Sequence, residues 1–97
     1  MAEVLDVEAV RTGLERLDGW SGDPAGIVRT VELPGFSDAV GVVDRVAVVA
    51  EELDHHPDID IRWRTVTFRC CTHSVGGVTR RDFELAGQID EIVRGAA

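Results

Sequence analysis

Between Ile59 and Thr72 the alternation of apolar residues changes parity, and that change restricts the folds open to the chain. Ile59, Ile61 and Trp63 alternate with polar residues, and Val66, Phe68 and Cys70 do the same on the opposite parity. Successive side chains of a strand point to opposite faces, so one continuous strand would split the two sets across a sheet. A two-residue turn at Arg64-Thr65 puts them on one face, pairing Trp63 with Val66, Ile61 with Phe68 and Ile59 with Cys70. Arg-Thr is a poor turn sequence, so the hairpin rests on the apolar pattern rather than on turn chemistry. A hairpin means an antiparallel sheet with one face against a core.

The remaining patterns supply the helices. Val7, Val10, Leu14 and Leu17 recur at helical spacing, with Asp6 as N-cap and Gly19 as stop, which predicts a helix over Asp6–Leu17. Gly22-Asp23-Pro24-Ala25-Gly26 reads as a turn, Ile27–Leu33 as a strand rich in β-branched residues, and a short strand around Trp20 can precede it. A long helix is expected over Ser37–Leu53, capped by Ser37 and stapled by Phe36. Its apolar residues, from Phe36, Ala39 and Val40 to Ala50 and Leu53 with Val42 and Val49 added, cover roughly half the circumference, more than the ~100° one core contact needs. Either subunit association or deep burial accounts for the excess. Pro57 ends that helix through the residues before it. Ser74–Val78 reads as a loop, and Thr79 with Asp82 three residues on forms a capping-box-like start for a last helix whose buried stripe is Leu85, Ala86, Ile89, Ile92 and Val93. The expected class is α+β in the order α-β-β-α-β-β-α: a four-stranded antiparallel sheet with three helices on one face.

The 97 residues make one domain, 1–97, with no repeat or linker. The formal net charge of −8 excludes nucleic-acid binding through a basic surface. The positive charge is local, with Arg62, Arg64, Arg69, Arg80 and Arg81 all after residue 56. No apolar run is long enough for a membrane span, and the first residues carry no secretion signal. Cys70 and Cys71 are sequence neighbours, a strained pair for a bridge, and read as free thiols of a reducing cytoplasm, with a redox switch as the lesser alternative.

All three histidines, His55, His56 and His73, fall within one short stretch and at element ends, where sites are usually built. Histidine is the side chain best suited to exchanging protons near neutral pH. Glu51 lies one helical turn before His55 and is placed to orient it. Exposed, inert histidines are the competing reading. A metal site from three histidines and nearby carboxylates has no matching ligand spacing. Ser74 beside His73 lacks a nucleophile elbow. Gly76-Gly77 is read first as a tight turn and second as an anion seat at a helix start.

Taken together, Ala50-Glu51-Glu52-Leu53-Asp54-His55-His56-Pro57-Asp58, Trp63, Thr72-His73, Gly76-Gly77-Val78-Thr79 and Asp82 resemble the pterin-4a-carbinolamine dehydratase family, also called the dimerisation-cofactor family. Leu17-Asp18-Gly19-Trp20 and Ile27-Val28-Arg29 join the resemblance, which covers nearly the whole chain. It implies loss of water from 4a-hydroxytetrahydropterin to give quinonoid dihydropterin, in recycling the pterin cofactor of aromatic amino-acid hydroxylation. It implies no metal and no organic cofactor. It makes His55, His56 and His73 the active-site histidines, Glu51 and Asp82 supporting carboxylates and Trp20 an aromatic near the pterin, with Pro57 part of the same motif. His55 and His73 are expected to matter most, with His56 in binding or in handling the other 4a-epimer. A homodimer or homotetramer, and a functional link to an aromatic amino-acid hydroxylase, are implied partners. The alternative is an oligomerising interaction module without catalysis, as for animal relatives that bind a transcription factor. The departures are Val31-Glu32-Leu33, where Phe-x-Phe is frequent, and the basic Arg62 and Arg64.

Overall fold

Asp6 opens the first helix through its carboxylate, which accepts the Ala9 N–H at 2.8 Å. The structure, a computed structural model describing residues 3–96, runs α1 (Val7–Glu15), β1 (Trp20–Asp23), β2 (Gly26–Glu32), α2 (Phe36–Leu53), β3 (Asp58–Arg62), β4 (Thr65–Cys70) and α3 (Arg80–Ala96). The expected α-β-β-α-β-β-α order holds. The four strands form one antiparallel sheet in the order β1-β2-β4-β3. α1 stops before Leu17, its end tightened by the Arg16 N–H bond to Gly13 O and the Leu17 N–H bond to Leu14 O, both 3.1 Å.

Two sequence expectations are corrected. The first is the hairpin register: Ile61 pairs with Val66, Ile59 with Phe68 and Arg62 with Thr65, so the turn is Trp63-Arg64 rather than Arg64-Thr65. A slip of two residues preserves parity, which is why the apolar pattern could not detect it. Trp63 leaves the strand, takes a left-handed φ of 55° and is 71% exposed. Arg64 holds the turn: its guanidinium lies 4.8 Å from the Trp63 ring, it pairs with Glu32 at 3.3 Å, and its carbonyl accepts the Leu33 N–H at 2.9 Å. The new register also sets Asp58 opposite Arg69, a favourable cross-strand charge pair.

The second correction is the start of α2. Gly35, extended at φ −159°, is the N-cap, and no side chain caps the helix. Pro34-Gly35 ends the preceding strand and Phe36 is already helical, so Ser37 arrives too late to cap and the exposed Phe36 staples nothing. Asp38 in the first turn supplies the negative charge that the positive end of the helix favours.

The core lies between the helices and one sheet face. Ile27, Val66, Phe68 and Cys70 point inward and pack in one cluster with Ala39, Val42 and Val46 of α2 and Leu85, Ala86, Ile89 and Val93 of α3. Full burial of a side chain such as Phe68 contributes about 1.5–3 kcal/mol. The opposite sheet face presents Thr30, Thr67, Arg69 and Asp60 to solvent, with the two threonine hydroxyls 3.0 Å apart. At the β1 end, the Asp90 carboxylate of α3 accepts both Trp20 Nε1–H at 2.6 Å and Arg29 Nη1–H at 2.5 Å, tying two strands to the last helix. The wide stripe of α2 divides: one side faces the core, while Phe36 and Val40 stay exposed beside Val48 outside the stripe, so deep burial within this chain does not explain it.

Candidate functional site

The end of α2 is made without glycine. Asp54 adopts a left-handed conformation at φ 50°, its N–H bonding Glu51 O at 3.2 Å, and the His55 N–H bonds Ala50 O at 3.0 Å. This reversal turns the His55 ring inward toward α3, where Nε2 lies 2.6 Å from Asp82 Oδ1.

Asp82 is fully buried and serves three donors. Its Oδ2 accepts the Thr79 N–H at 2.9 Å and the Thr72 hydroxyl at 2.8 Å, and its Oδ1 faces His55. Thr79 Oγ1 in return accepts the Arg81 N–H at 3.2 Å, so the two side chains cap the start of α3 in the capping-box-like manner read in the sequence. The helix start that Gly76-Gly77 led into is therefore filled by the protein's own carboxylate and is no anion seat. Gly76, at φ 72°, is the tight turn.

A carboxylate only accepts hydrogen bonds, so the neutral His55 ring carries its proton on Nε2 and presents the Nδ1 lone pair. His55 Nδ1 has no hydrogen-bond partner among the described residues, and His55 is one of the residues that line a cleft. A buried carboxylate behind an imidazole fixes its tautomer and stabilises the imidazolium formed on taking a proton.

Glu51 does not orient His55. The left-handed Asp54 carries the chain away from the helical path, so Glu51 Oε2 meets His56 Nε2 at 2.6 Å on the surface. His73 follows Thr72, whose backbone pairs with Gly77 to close the loop between them. The His73 ring is exposed and lies beside Cys71, whose Sγ is 3.7 Å from Nδ1 and 4.0 Å from Nε2. Near-equal distances mark a contact with the ring rather than an aimed hydrogen bond. Burial raises the Cys71 thiol above its ordinary pKa, and Asp82 adds to the shift. Burial also pushes the Cys70 thiol far up, again reinforced by Asp82, so both stay protonated at neutral pH.

A cleft of about 320 Å³ is lined by His55, His56, Pro57, Thr72, His73 and Arg81, together with Asp54, Asp58, Cys71 and Ser74. That is the small end of the ~300–1,000 Å³ range of ligand clefts. The structure thus gathers His55, His56, His73 and Pro57 around one space, with Asp82 behind His55 and Glu51 bonded to His56. Trp20 is not among the lining residues: it is buried on β1 against Asp90. No group of three His, Cys, Asp or Glu side chains among the described residues is arranged to hold a metal. Sequence reasoning missed Arg81 and Cys71 as lining residues, and the place of Cys71 directly before Thr72-His73 was the available signal.

Comparison with known proteins identifies the family. The family model described as pterin 4 alpha carbinolamine dehydratase matches residues 3–92. A Nocardia farcinica protein with the provisional name pterin-4-alpha-carbinolamine dehydratase is 53% identical over 92 residues, 95% of this chain and 97% of its own. A Roseiflexus castenholzii protein with the same provisional name is 47% identical over 93 residues, 96% of this chain and all of its own. Among solved structures, a Brucella melitensis protein described as a transcriptional coactivator/pterin dehydratase superposes with a TM-score of 0.90 at 32% identity, covering 94% of this chain and 99% of its own. The chain belongs to the pterin 4 alpha carbinolamine dehydratase family, a family of hydro-lyases.

Proposed function

We propose that the chain dehydrates 4a-hydroxytetrahydropterin to quinonoid dihydropterin by histidine acid–base catalysis. The observation that supports it most is the buried His55–Asp82 pair, which leaves the other ring nitrogen of His55 free at the cleft that His55 and His73 both line. In the reaction the C4a–O bond breaks with its electron pair, the oxygen takes a proton and leaves as water, and the ring N5–H loses its proton as the N5–C4a double bond forms. Hydroxide is a poor leaving group, so an acid must deliver the first proton, and a base must take the second. Each transfer contributes about 10²- to 10⁴-fold. His55 suits the base, because Asp82 stabilises the charge it acquires. His73 suits the acid, because its ring has no carboxylate partner among the described residues and exchanges protons with solvent. His56, held by Glu51 at the rim, serves binding or the other 4a-epimer. Pro57 and the helix end set the cleft wall, and the hydro-lyase needs no metal or organic cofactor in this scheme.

The test supplies 4a-hydroxytetrahydropterin generated in place by an aromatic amino-acid hydroxylase and follows quinonoid dihydropterin. Acceleration over the uncatalysed reaction, lost in His55→Ala and in His73→Ala, is the expected result. No acceleration by the pure protein sinks the reading, and activity surviving both substitutions sinks the assignment of residues. The same assay tests the link to a hydroxylase. Two free thiols suit a reaction run in a reducing cytoplasm, and among the described residues no helix is long and apolar enough to cross a membrane.

The second reading, an oligomerising module, is favoured by the exposed Phe36, Val40 and Val48 of α2 and by Ile59, Ile61 and Trp63 along β3 and its turn. We take these to be the surfaces of a homodimer or homotetramer that also performs the catalysis. A monomer in analytical ultracentrifugation at micromolar concentration counts against it.

A further inference from the structure

Arg81 stands beside Asp82 in the first turn of α3, and its side chain reaches back to a different element. One guanidinium nitrogen, Nη2, donates to Leu53 O at 2.9 Å and to Asp54 O at 2.8 Å. These are carbonyls that the end of α2 cannot satisfy within the helix. The last turn of α2 has no basic residue and carries Glu51 and Glu52, with Asp54 next, so the negative end of that helix gathers further negative charge. Arg81 brings a cation to it from another helix, the arrangement the helix dipole favours.

We infer that Arg81 is a positioning residue: it pins the end of α2 to the start of α3 and so holds His55 at bonding distance from Asp82. The inference rests on the proposed dehydratase reading for its kinetic arm alone. Two adjacent residues of α3 grip adjacent parts of one segment: Arg81 takes the carbonyls of residues 53 and 54, and Asp82 takes the ring of residue 55. The Arg81 backbone is itself fixed by its N–H bond to Thr79 Oγ1. A hydrogen bond of 2.6 Å fails when its partners separate by about an ångström, so the register between α2 and α3 decides whether His55 keeps its tautomer. Because Arg81 is exposed, its charged contacts add little to global stability, and its effect falls on the site.

Arg81 also lines the cleft, so a direct contact with substrate is the rival role. The full-length Arg81→Ala and Arg81→Lys variants separate the two. Proton NMR of the ligand-free proteins reads the His55 Nε2–H signal, which in the parent is expected downfield and protected from exchange. In Arg81→Ala that signal moves upfield or exchanges away, and kcat falls about 10- to 100-fold while KM changes less than about threefold. Arg81→Lys, whose ammonium can still donate to the carbonyls, recovers part of both. An unaltered His55 signal in Arg81→Ala overturns the inference, as does a raised KM with kcat intact. Should Arg81→Ala fail to fold, the same comparison is read on Arg81→Met, which keeps the aliphatic stem and loses the donors, and an unaltered signal there is equally fatal. If the parent shows no turnover, the dehydratase reading falls and the NMR comparison still decides the clamp.

Discussion

Replacing Asp82 by Asn changes one atom and should reverse the polarity of His55. The Thr79 N–H can only donate, so the amide oxygen of the substituted side chain must take the place of Oδ2, 2.9 Å from it. That leaves the NH₂ group facing His55 Nε2 across the 2.6 Å gap. An NH₂ donates, so Nε2 must accept, and the ring proton moves to Nδ1, where the lone pair had been. The site keeps its shape and loses its base. Removing a general base costs about 10²- to 10⁴-fold, or roughly 3–5.5 kcal/mol of transition-state stabilisation. The fold is affected less. The Thr79 and Thr72 bonds survive as neutral ones, and a hydrogen bond to a charged group exceeds a neutral one by roughly 1–1.5 kcal/mol, so Asp82→Asn should lower stability by about that much per affected bond. Steady-state turnover measures the first effect, urea unfolding the second, and nitrogen chemical shifts of the His55 ring report the tautomer directly. Full activity with the proton on Nδ1, or an Nε2–H tautomer retained in the variant, would refute the reasoning.

Three further outcomes are expected. Asp90→Asn should destabilise by about 3–5 kcal/mol in urea unfolding, because it leaves the mostly buried Arg29 guanidinium without its counter-charge, and the loss should appear with the catalytic histidines untouched. Gly13→Ala should cost about 1–3 kcal/mol, since the added methyl would meet the Phe83 ring at 2.6 Å where α1 rests on α3; an unchanged unfolding midpoint would show that the ring gives way freely. In thiol labelling, Cys71 should react slowly and be protected by a pterin analogue, while the buried Cys70 reacts only on unfolding. Burial holds the folded Cys70 thiol above the ordinary 9.0, so the stability it contributes is complete below about pH 9 and is lost at higher pH.

The sequence was most legible where a pattern is periodic. The burial of Leu85, Ala86, Ile89 and Val93 on α3 follows from spacing, and so does the inward face of Val66, Phe68 and Cys70. It was less legible where only absolute position matters. Parity could not distinguish a turn at Trp63-Arg64 from one at Arg64-Thr65, because both put the same residues inward. The site shows the same division. Thr79 and Asp82 announce their capping box by local spacing, and the three histidines stand at element ends. The pairing of Glu51 was misread because helical spacing was extended through Asp54, where the left-handed backbone ends it. Trp20 and the reach of Arg81 are long-range matters, decided by how α3 docks, and no local pattern encodes them.

The His55–Asp82 bond spans 27 residues, and the whole β3–β4 hairpin lies inside that loop. Closing a loop of this length is entropically costly until the contacts within it are made, so the hairpin and the docking of α3 have to precede the bond. Thr72, which shares the Asp82 carboxylate, adds the loop after β4 to the list of parts that must already be in place. The protected imidazole proton of His55 would then be among the last native signals to appear during refolding. The competent site and the finished fold would arrive together, and partly folded chains would have no working base to offer.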